Sequence, residues 1–270
     1  MRLAASFGIW PDLFSALRVA TLPTLGAIIR EPSLIFRPTA LSRQFMALVW
    51  AAFSSPTDEG ARPTKLGLIK PHAKKTVLDI GAGHGHAIQY FERDAVTAYV
   101  ALEPNALMHN EIRSRAESAG YTEMDGTLLI ISCGAEDPAA IRKALDNAGL
   151  QVDTMLSIMT LCSIPSPQKT LARLVDDVLA PGGKLLFYEH VLSPRKDVAF
   201  WQRFWTPIWR LAFDGCRLDR PTHLWIQQLQ DKEGNSPWSE WEVWGKEGEP
   251  EEHLWWHRTG FFVKRTDEGK

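Results

Sequence analysis

The chain lacks what would commit it to a disulfide scaffold, a polyanion or a simple membrane span. Its 270 residues hold three cysteines, Cys133, Cys162 and Cys216, an odd number without C-x-x-C spacing. Such usage points away from a structural zinc, so no metal is expected, and toward a reducing compartment, the cytoplasm. With 30 basic and 32 acidic side chains the formal charge is -2, too weak a field for bulk binding of nucleic acid, and no nucleic-acid partner is expected. The longest uncharged run of the apolar N-terminal segment, Val19 to Ile29, is 11 residues, short of the roughly 20 that span a bilayer. No membrane-spanning helix is expected. A cleaved signal is disfavoured too, because the charged n-region is only Arg2, and the apolar run follows Asp12 and Arg18 instead of following that region directly.

What is present begins with "TVLDIGAGHGHAIQYF", Thr76 to Phe91. Val77, Leu78 and Ile80 read as a buried strand, and Ala87, Ile88 and Phe91 follow helical spacing. Glycines at a strand-to-helix turn let a ligand approach bare backbone. The dinucleotide fingerprint would need glycine at position 86, where His86 stands, and the Gly-Lys-Ser/Thr ending of a phosphate-binding loop is absent. The pattern is instead acid-x-Gly-x-Gly-x-Gly: Asp79, Gly81, Gly83, Gly85. A carboxylate there repels phosphate and attracts a cationic ligand. S-adenosylmethionine, which carries an ammonium group, is the ligand this suggests.

The motif resembles the first motif of the class I S-adenosylmethionine-dependent methyltransferases, and four further signals follow in that family's order. Glu103, 24 residues after Asp79, ends a second strand, where the resemblance implies a contact to the ribose hydroxyls. Glu136 and Asp137 end a third, where it implies a contact to the adenine amino group. The fourth, "VDTMLSIMTLCSI", carries Thr160, Leu161, Cys162 and Ser163 to the rim of the site, and "LVDDVLAPGGKLLFYEHV" has the family's Leu-x-Pro-Gly-Gly turn before a fifth strand. The implied fold is a seven-stranded, mostly parallel α/β sheet with helices on both faces, a Rossmann-like methyltransferase fold with an N-terminal helical extension. The implied cofactor-binding set is Asp79, Gly81, Gly83, Gly85, Glu103, Glu136 and Thr160. On its own, Cys162 reads as a small buried hydrophobe.

Residues 1–75 are expected as the extension, with a helix from Leu41 to Ser55 and a linker from Pro56 to Pro63. The extension would be a flap whose apolar face, Phe14, Leu17, Val19, Leu22 and Leu25, covers substrate space, or else a helix in the membrane interface on the cytosolic side. Residues 76–270 form the methyltransferase domain, in which 193–240 are an aromatic cap. Nine of the eleven tryptophans lie beyond residue 192, and Trp201, Trp205 and Trp209 are the candidate substrate-pocket residues. "WSEWEVWGK" and "LWWHRTGFFVKR" read as the last two strands, joined by a solvated loop, Glu247 to Glu252.

The stretch from Tyr188 to Arg220, with Glu189-His190-Val191 and Phe213-Asp214-Gly215-Cys216, is similar to membrane-associated methyltransferase-like proteins that include animal alkyl-thiol methyltransferases. The expected activity is methyl transfer to a small molecule such as a thiol or a secondary metabolite, with the S, O or N nucleophile left open. His190, at the end of the fifth strand, and Asp214 are the candidate catalytic residues. The alternative is a non-catalytic, cofactor-binding scaffold subunit with a protein partner, against which the complete acid-and-glycine set argues. Peripheral membrane contact and oligomeric state stay open.

Overall fold

The computed structural model describes residues 1–266. Seven strands form one sheet in the order β3-β2-β1-β4-β5-β7-β6. These are β1 (Lys75–Ile80), β2 (Val96–Leu102), β3 (Leu128–Ile131), β4 (Val152–Ile158), β5 (Leu179–His190), β6 (Trp238–Gly245) and β7 (His257–Lys264). The first five pair in parallel, and β7 lies antiparallel between β5 and β6. The strand order reverses between β1 and β4, so loops leaving their C-terminal ends diverge and open the crevice in which such sheets bind ligands.

Each face of the sheet is covered, as its near-continuous apolar strands require. On one side Ile141, Leu145, Leu171 and Leu174 come from α5 (Pro138–Ala148) and α6 (Pro167–Asp177). On the other, Leu68 and Ile69 come from α3 (Pro38–His72), and Ile112 and Ala116 from α4 (His109–Ser118). A third cluster joins α2 (Trp10–Arg30) to α3 and α7 (Lys196–Ala212) through Leu13, Ala16, Val49, Trp205 and Trp209. Two short α-helices, α1 (Leu3–Ser6) and α8 (Thr222–Gln227), complete the α-helices among the described residues.

Four local expectations need correction. The expected linker from Pro56 to Pro63 is helix: α3 is 35 residues long and contains Pro56, Pro63 and Pro71. Pro56 and Pro63 are two turns apart on the exposed side, where water can take the carbonyls their missing N–H groups leave open, while Ser54, Asp58, Ala61 and Lys65 are buried on the opposite side. Likewise α2 runs through Pro23 without a break, and the segment from Leu3 to Arg30 is long and apolar enough to cross a membrane by length and composition. The segment after Gly85 is a short 3-10 helix, His86–Tyr90. The loop after β6 is tied down, because Glu249 accepts from the backbone N–H of His257 (2.7 Å) and Glu252 pairs with Arg2 (2.8 Å).

One buried clamp fastens α3 to the segment behind the glycine loop. Asp58 Oδ1 accepts from Lys65 Nζ at 2.6 Å, and its Oδ2 accepts from Gln89 Nε2 at 2.7 Å and from Tyr90 Oη at 2.8 Å. Asp58→Ala would strand the Lys65 ammonium in the interior. It is expected to cost about 3–5 kcal/mol in urea unfolding, the scale for removing one partner of a buried pair, and a loss below about 1 kcal/mol would show that water already serves this cluster.

Candidate active site

At the C-terminal ends of β1, β2, β3 and β4 the loops enclose a cavity of about 370 Å³. Gly81, Gly83, Glu103, Glu136, Thr160 and Asp214 line it from the sheet side, and Arg43, Met46 and Trp50 close it from α3. The glycines are here for space. A Cβ on Gly81 would lie 2.5 Å from Thr160 Cγ2, and one on Gly83 would lie 2.6 Å from Trp50 Nε1. Both also have positive φ, +65° and +56°, which a side chain would strain.

Glu103 sets the shape of the loop. Its Oε2 accepts from Gly83 N–H and its Oε1 from Asn105 N–H, both at 2.8 Å, and burial pushes its pKa up to about 7 against these bonds. Asp79 is also buried, with Oδ2 accepting from Tyr99 Oη at 2.9 Å, and burial lifts it to about 7 as well. It lines a recess of about 40 Å³ with Gly81, Trp50 and Met159, beside the main cavity instead of within it. On the far side, Glu189 Oε1 accepts from Ser157 Oγ (2.8 Å) and from the N–H groups of Thr160 (2.9 Å) and Leu161 (3.0 Å). Neither Glu189 nor Trp50 was singled out from the sequence for a role in the site. A buried acid next to His190 was the available signal for the first, while nothing local marks Trp50.

A second cavity of about 320 Å³ adjoins the first and shares Met46, Trp50, Met159, Ser163 and Phe213 with it. Its other walls are mostly apolar, with Val49, Phe53, Trp209 and Trp255, and one side carries Cys162, His190 and Cys216. Met159, between the two, has φ +56°, an uncommon backbone for a bulky residue, held by its N–H donating to Tyr188 O at 2.8 Å.

Several expected roles shift. Gly85 lines neither cavity: with φ +74° it starts the 3-10 helix, and a Cβ there would press on Ile112 at 3.4 Å, so its role is conformational. Asp137 caps α5 by accepting from Ala140 N–H at 3.0 Å, which leaves Glu136 as the third-strand acid in the cavity. Asp214 lies in the first cavity, where its Oδ1 accepts from Ser42 Oγ at 2.8 Å, and it does not reach the second one beside His190. Of the three predicted substrate-pocket tryptophans, Trp201, Trp205 and Trp209, only Trp209 lines either cavity. Trp205 donates from Nε1 to Ser6 O at 2.6 Å, and Trp201 packs on Phe7, Phe204 and Trp205, so both serve the third core. The face Phe14, Leu17, Val19, Leu22, Leu25 points outward, with Leu22 77% and Phe14 66% exposed, and it is α3 that covers the site. His84 bonds Ser54 of α3 at 3.2 Å and shapes the loop from behind.

The sequence profile described as "Methyltransferase domain" matches residues 57–258, three quarters of the chain. The chain belongs to this methyltransferase family. Among curated relatives, thiol S-methyltransferase TMT1B of Rattus norvegicus is 31% identical over 164 residues, covering 60% of this chain and 62% of that protein. TMT1B of Homo sapiens is 30% identical over 168 residues, 62% of this chain and 64% of that protein. The chain thus spans somewhat under two thirds of the length of the relatives it matches. Among solved structures, an O-methyltransferase family protein from Burkholderia thailandensis aligns with TM-score 0.54 at 12% identity, covering 97% of this chain and 70% of that one. The N-methyltransferase NodS from Bradyrhizobium japonicum, in complex with S-adenosyl-L-homocysteine, aligns with TM-score 0.51 at 14% identity, covering 76% of this chain and 87% of that one. These two likenesses concern the fold.

The family's cofactor, S-adenosylmethionine, fits the first cavity on its own evidence: a glycine cradle that side chains would fill, and buried carboxylates at the ends of β1 and β2. With the cofactor bound, Glu103 would accept from ribose hydroxyls, and Asp79, in the adjoining recess, would attract the ligand's ammonium end. Their raised pKa values mean that the free protein holds protons near neutrality that the bound state must release. Affinity for S-adenosylhomocysteine should therefore rise with pH through about 7 and level off above it. The unliganded fold loses stability over the range from the unfolded carboxylate values up to about 7, because the folded state binds more protons there. Calorimetry across this range should also show Glu103→Gln binding about 1–3 kcal/mol more weakly and with a flatter profile. A pH-independent wild-type affinity would remove both carboxylates from the ligand.

Proposed function

We propose that this protein transfers the methyl group of S-adenosylmethionine to a small apolar thiol. The observation that carries this is the pair of adjoining cavities: a glycine- and carboxylate-lined one suited to the donor, and an apolar one opening from it past Met159 and Ser163. Methyl transfer from a sulfonium is an in-line displacement, so the protein's contribution is alignment of the two sulfurs in a dry space. Trp50, Phe53, Trp209, Phe213 and Trp255 supply the dry walls. A thiol with a pKa of about 8.5 needs only modest help to ionise, and the cavity wall offers polar groups to give it: Cys162, His190 and Cys216 on one side, with Asp12, Lys246 and His257 also lining the space. The thiol S-methyltransferase relatives support sulfur as the nucleophile.

Turnover of an alkyl thiol to its methyl thioether, with formation of S-adenosylhomocysteine, tests the reading. Trp209→Ala, which removes one wall of the second cavity alone, should cost about 1–3 kcal/mol in kcat/KM for an apolar thiol and leave S-adenosylhomocysteine affinity within about twofold. Binding of the cofactor without turnover of any thiol, phenol or amine would favour the scaffold alternative.

The same reading includes a peripheral membrane contact. Leu22, Leu25 and Ile29 of α2, Ile35 and Phe36 after it, and Phe200, Phe204, Ile208 and Leu211 of α7 are exposed apolar side chains on helices that pack together. Such a surface suits the headgroup boundary, and apolar acceptors partition into the same layer. Leu22→Asp combined with Ile29→Asp should abolish co-sedimentation with phosphatidylcholine vesicles and preserve turnover of a soluble thiol. Unchanged sedimentation would place this face elsewhere.

A further inference from the structure

Two of the three cysteines, unremarkable by spacing, meet one histidine in space. Cys216 Sγ lies 3.3 Å from Cys162 Sγ and 3.3 Å from His190 Nε2. The three side chains come from separate segments: the turn after β4, the end of β5, and the turn after α7. All three ligand atoms lie within 4.8 Å of one another, and all three residues line the second cavity. Zinc bonds of about 2.3 Å to sulfur and about 2.0–2.1 Å to nitrogen, at tetrahedral angles, separate sulfur from sulfur by about 3.8 Å and sulfur from nitrogen by about 3.5 Å. The observed separations need to widen by only a few tenths of an ångström.

His190 is 2% exposed, its Nδ1 has no hydrogen-bond partner, and its Nε2 lies 3.3 Å from the Cys216 thiol with the Cys162 thiol beside it. A thiol is a weak partner, so this buried imidazole has most of its bonding capacity unspent. A metal ion at Nε2 would use that capacity. Arg220 flanks the cluster, its Nη1 donating to Leu161 O (2.7 Å) and Ile164 O (2.8 Å) on either side of Cys162.

We propose that Cys162, His190 and Cys216 bind one zinc ion whose fourth position faces the apolar cavity and takes the acceptor thiol. Three protein ligands with one open position is the arrangement of reactive zinc sites, in contrast to closed structural ones. This inference rests on the thiol reading above. The acceptor R–SH coordinates zinc and releases its proton to solvent. Its sulfur then forms a bond to the methyl carbon as the carbon–sulfonium bond breaks, and the departing sulfur keeps the electron pair, giving S-adenosylhomocysteine. The neutral thioether R–S–CH3 is a poor zinc ligand and leaves. With three thiolates on the ion the site carries one net negative charge, which the Arg220 guanidinium balances.

The full reduced chain is loaded with zinc, desalted, and its metal content measured. Cobalt(II) is then titrated into the zinc-free chain and followed by its thiolate-to-metal charge-transfer absorption. One zinc per chain is expected, with cobalt absorption that changes on addition of an alkyl thiol. Cys162→Ser and Cys216→Ser should each weaken zinc binding by more than roughly a hundredfold, beyond the loss expected for a mere supporting partner of a ligand. S-adenosylhomocysteine calorimetry on each variant confirms that it is folded. No retained zinc and no charge-transfer band in the folded wild-type chain would overturn the site, as would full thiol turnover by zinc-free protein, which leaves the thiol reading standing. Stoichiometric zinc lost in both variants, without turnover of any thiol, would support the site and sink the thiol reading instead.

Discussion

A carboxylate buried at the end of a strand must find donors, and this site is built around that requirement. Glu103 finds the N–H groups of Gly83 and Asn105, and Glu189 finds those of Thr160 and Leu161. In each case one side chain fixes a loop that crosses the open end of the sheet. The loops in turn set the floor of the first cavity and the divide between the two cavities, because Met159 and Thr160 follow directly from the segment that Glu189 holds. Among the described residues neither carboxylate has lysine or arginine hydrogen-bonded to it, and Glu103, which lines the first cavity, keeps acceptor capacity for which ligand hydroxyls can compete.

The roof has a different origin. Helix α3 lies across the loops, and its Trp50 stands where any side chain on Gly83 would have to go. Packing of Val49 into the third core and the Asp58 clamp to Lys65, Gln89 and Tyr90 hold it there. The same helix therefore closes both cavities, with Met46 and Trp50 facing each of them. Excluding water from the space between two sulfurs is the main service such a roof provides.

Much of this was legible before any coordinates. Alternating strands and helices between Thr76 and His190 carry the fold class, and the acid-and-glycine pattern carries the donor cavity, because both are local in sequence. What was missed is non-local or balanced by tertiary packing. Three prolines argue against a long helix, yet α3 persists since Pro56 and Pro63 face water and its other side is buried. The aromatic stripe of α7 reads as pocket wall, but Trp205 is spent on Ser6 and Phe7 of the extension, and only Trp209 reaches a cavity. Cys162 and Cys216 stand 54 positions apart, so no spacing rule could join them.

The central claim is that donor and acceptor occupy adjoining cavities divided at Met159 and Ser163. A crystal structure with S-adenosylhomocysteine and an alkyl thiol bound tests it most directly. The account predicts the adenosine against Glu103 and Glu136, the homocysteine sulfur at Met159, and the thiol sulfur in the second cavity facing it in line. A homocysteine sulfur directed to solvent, or a thiol bound outside the Trp209 and Trp255 walls, would contradict it.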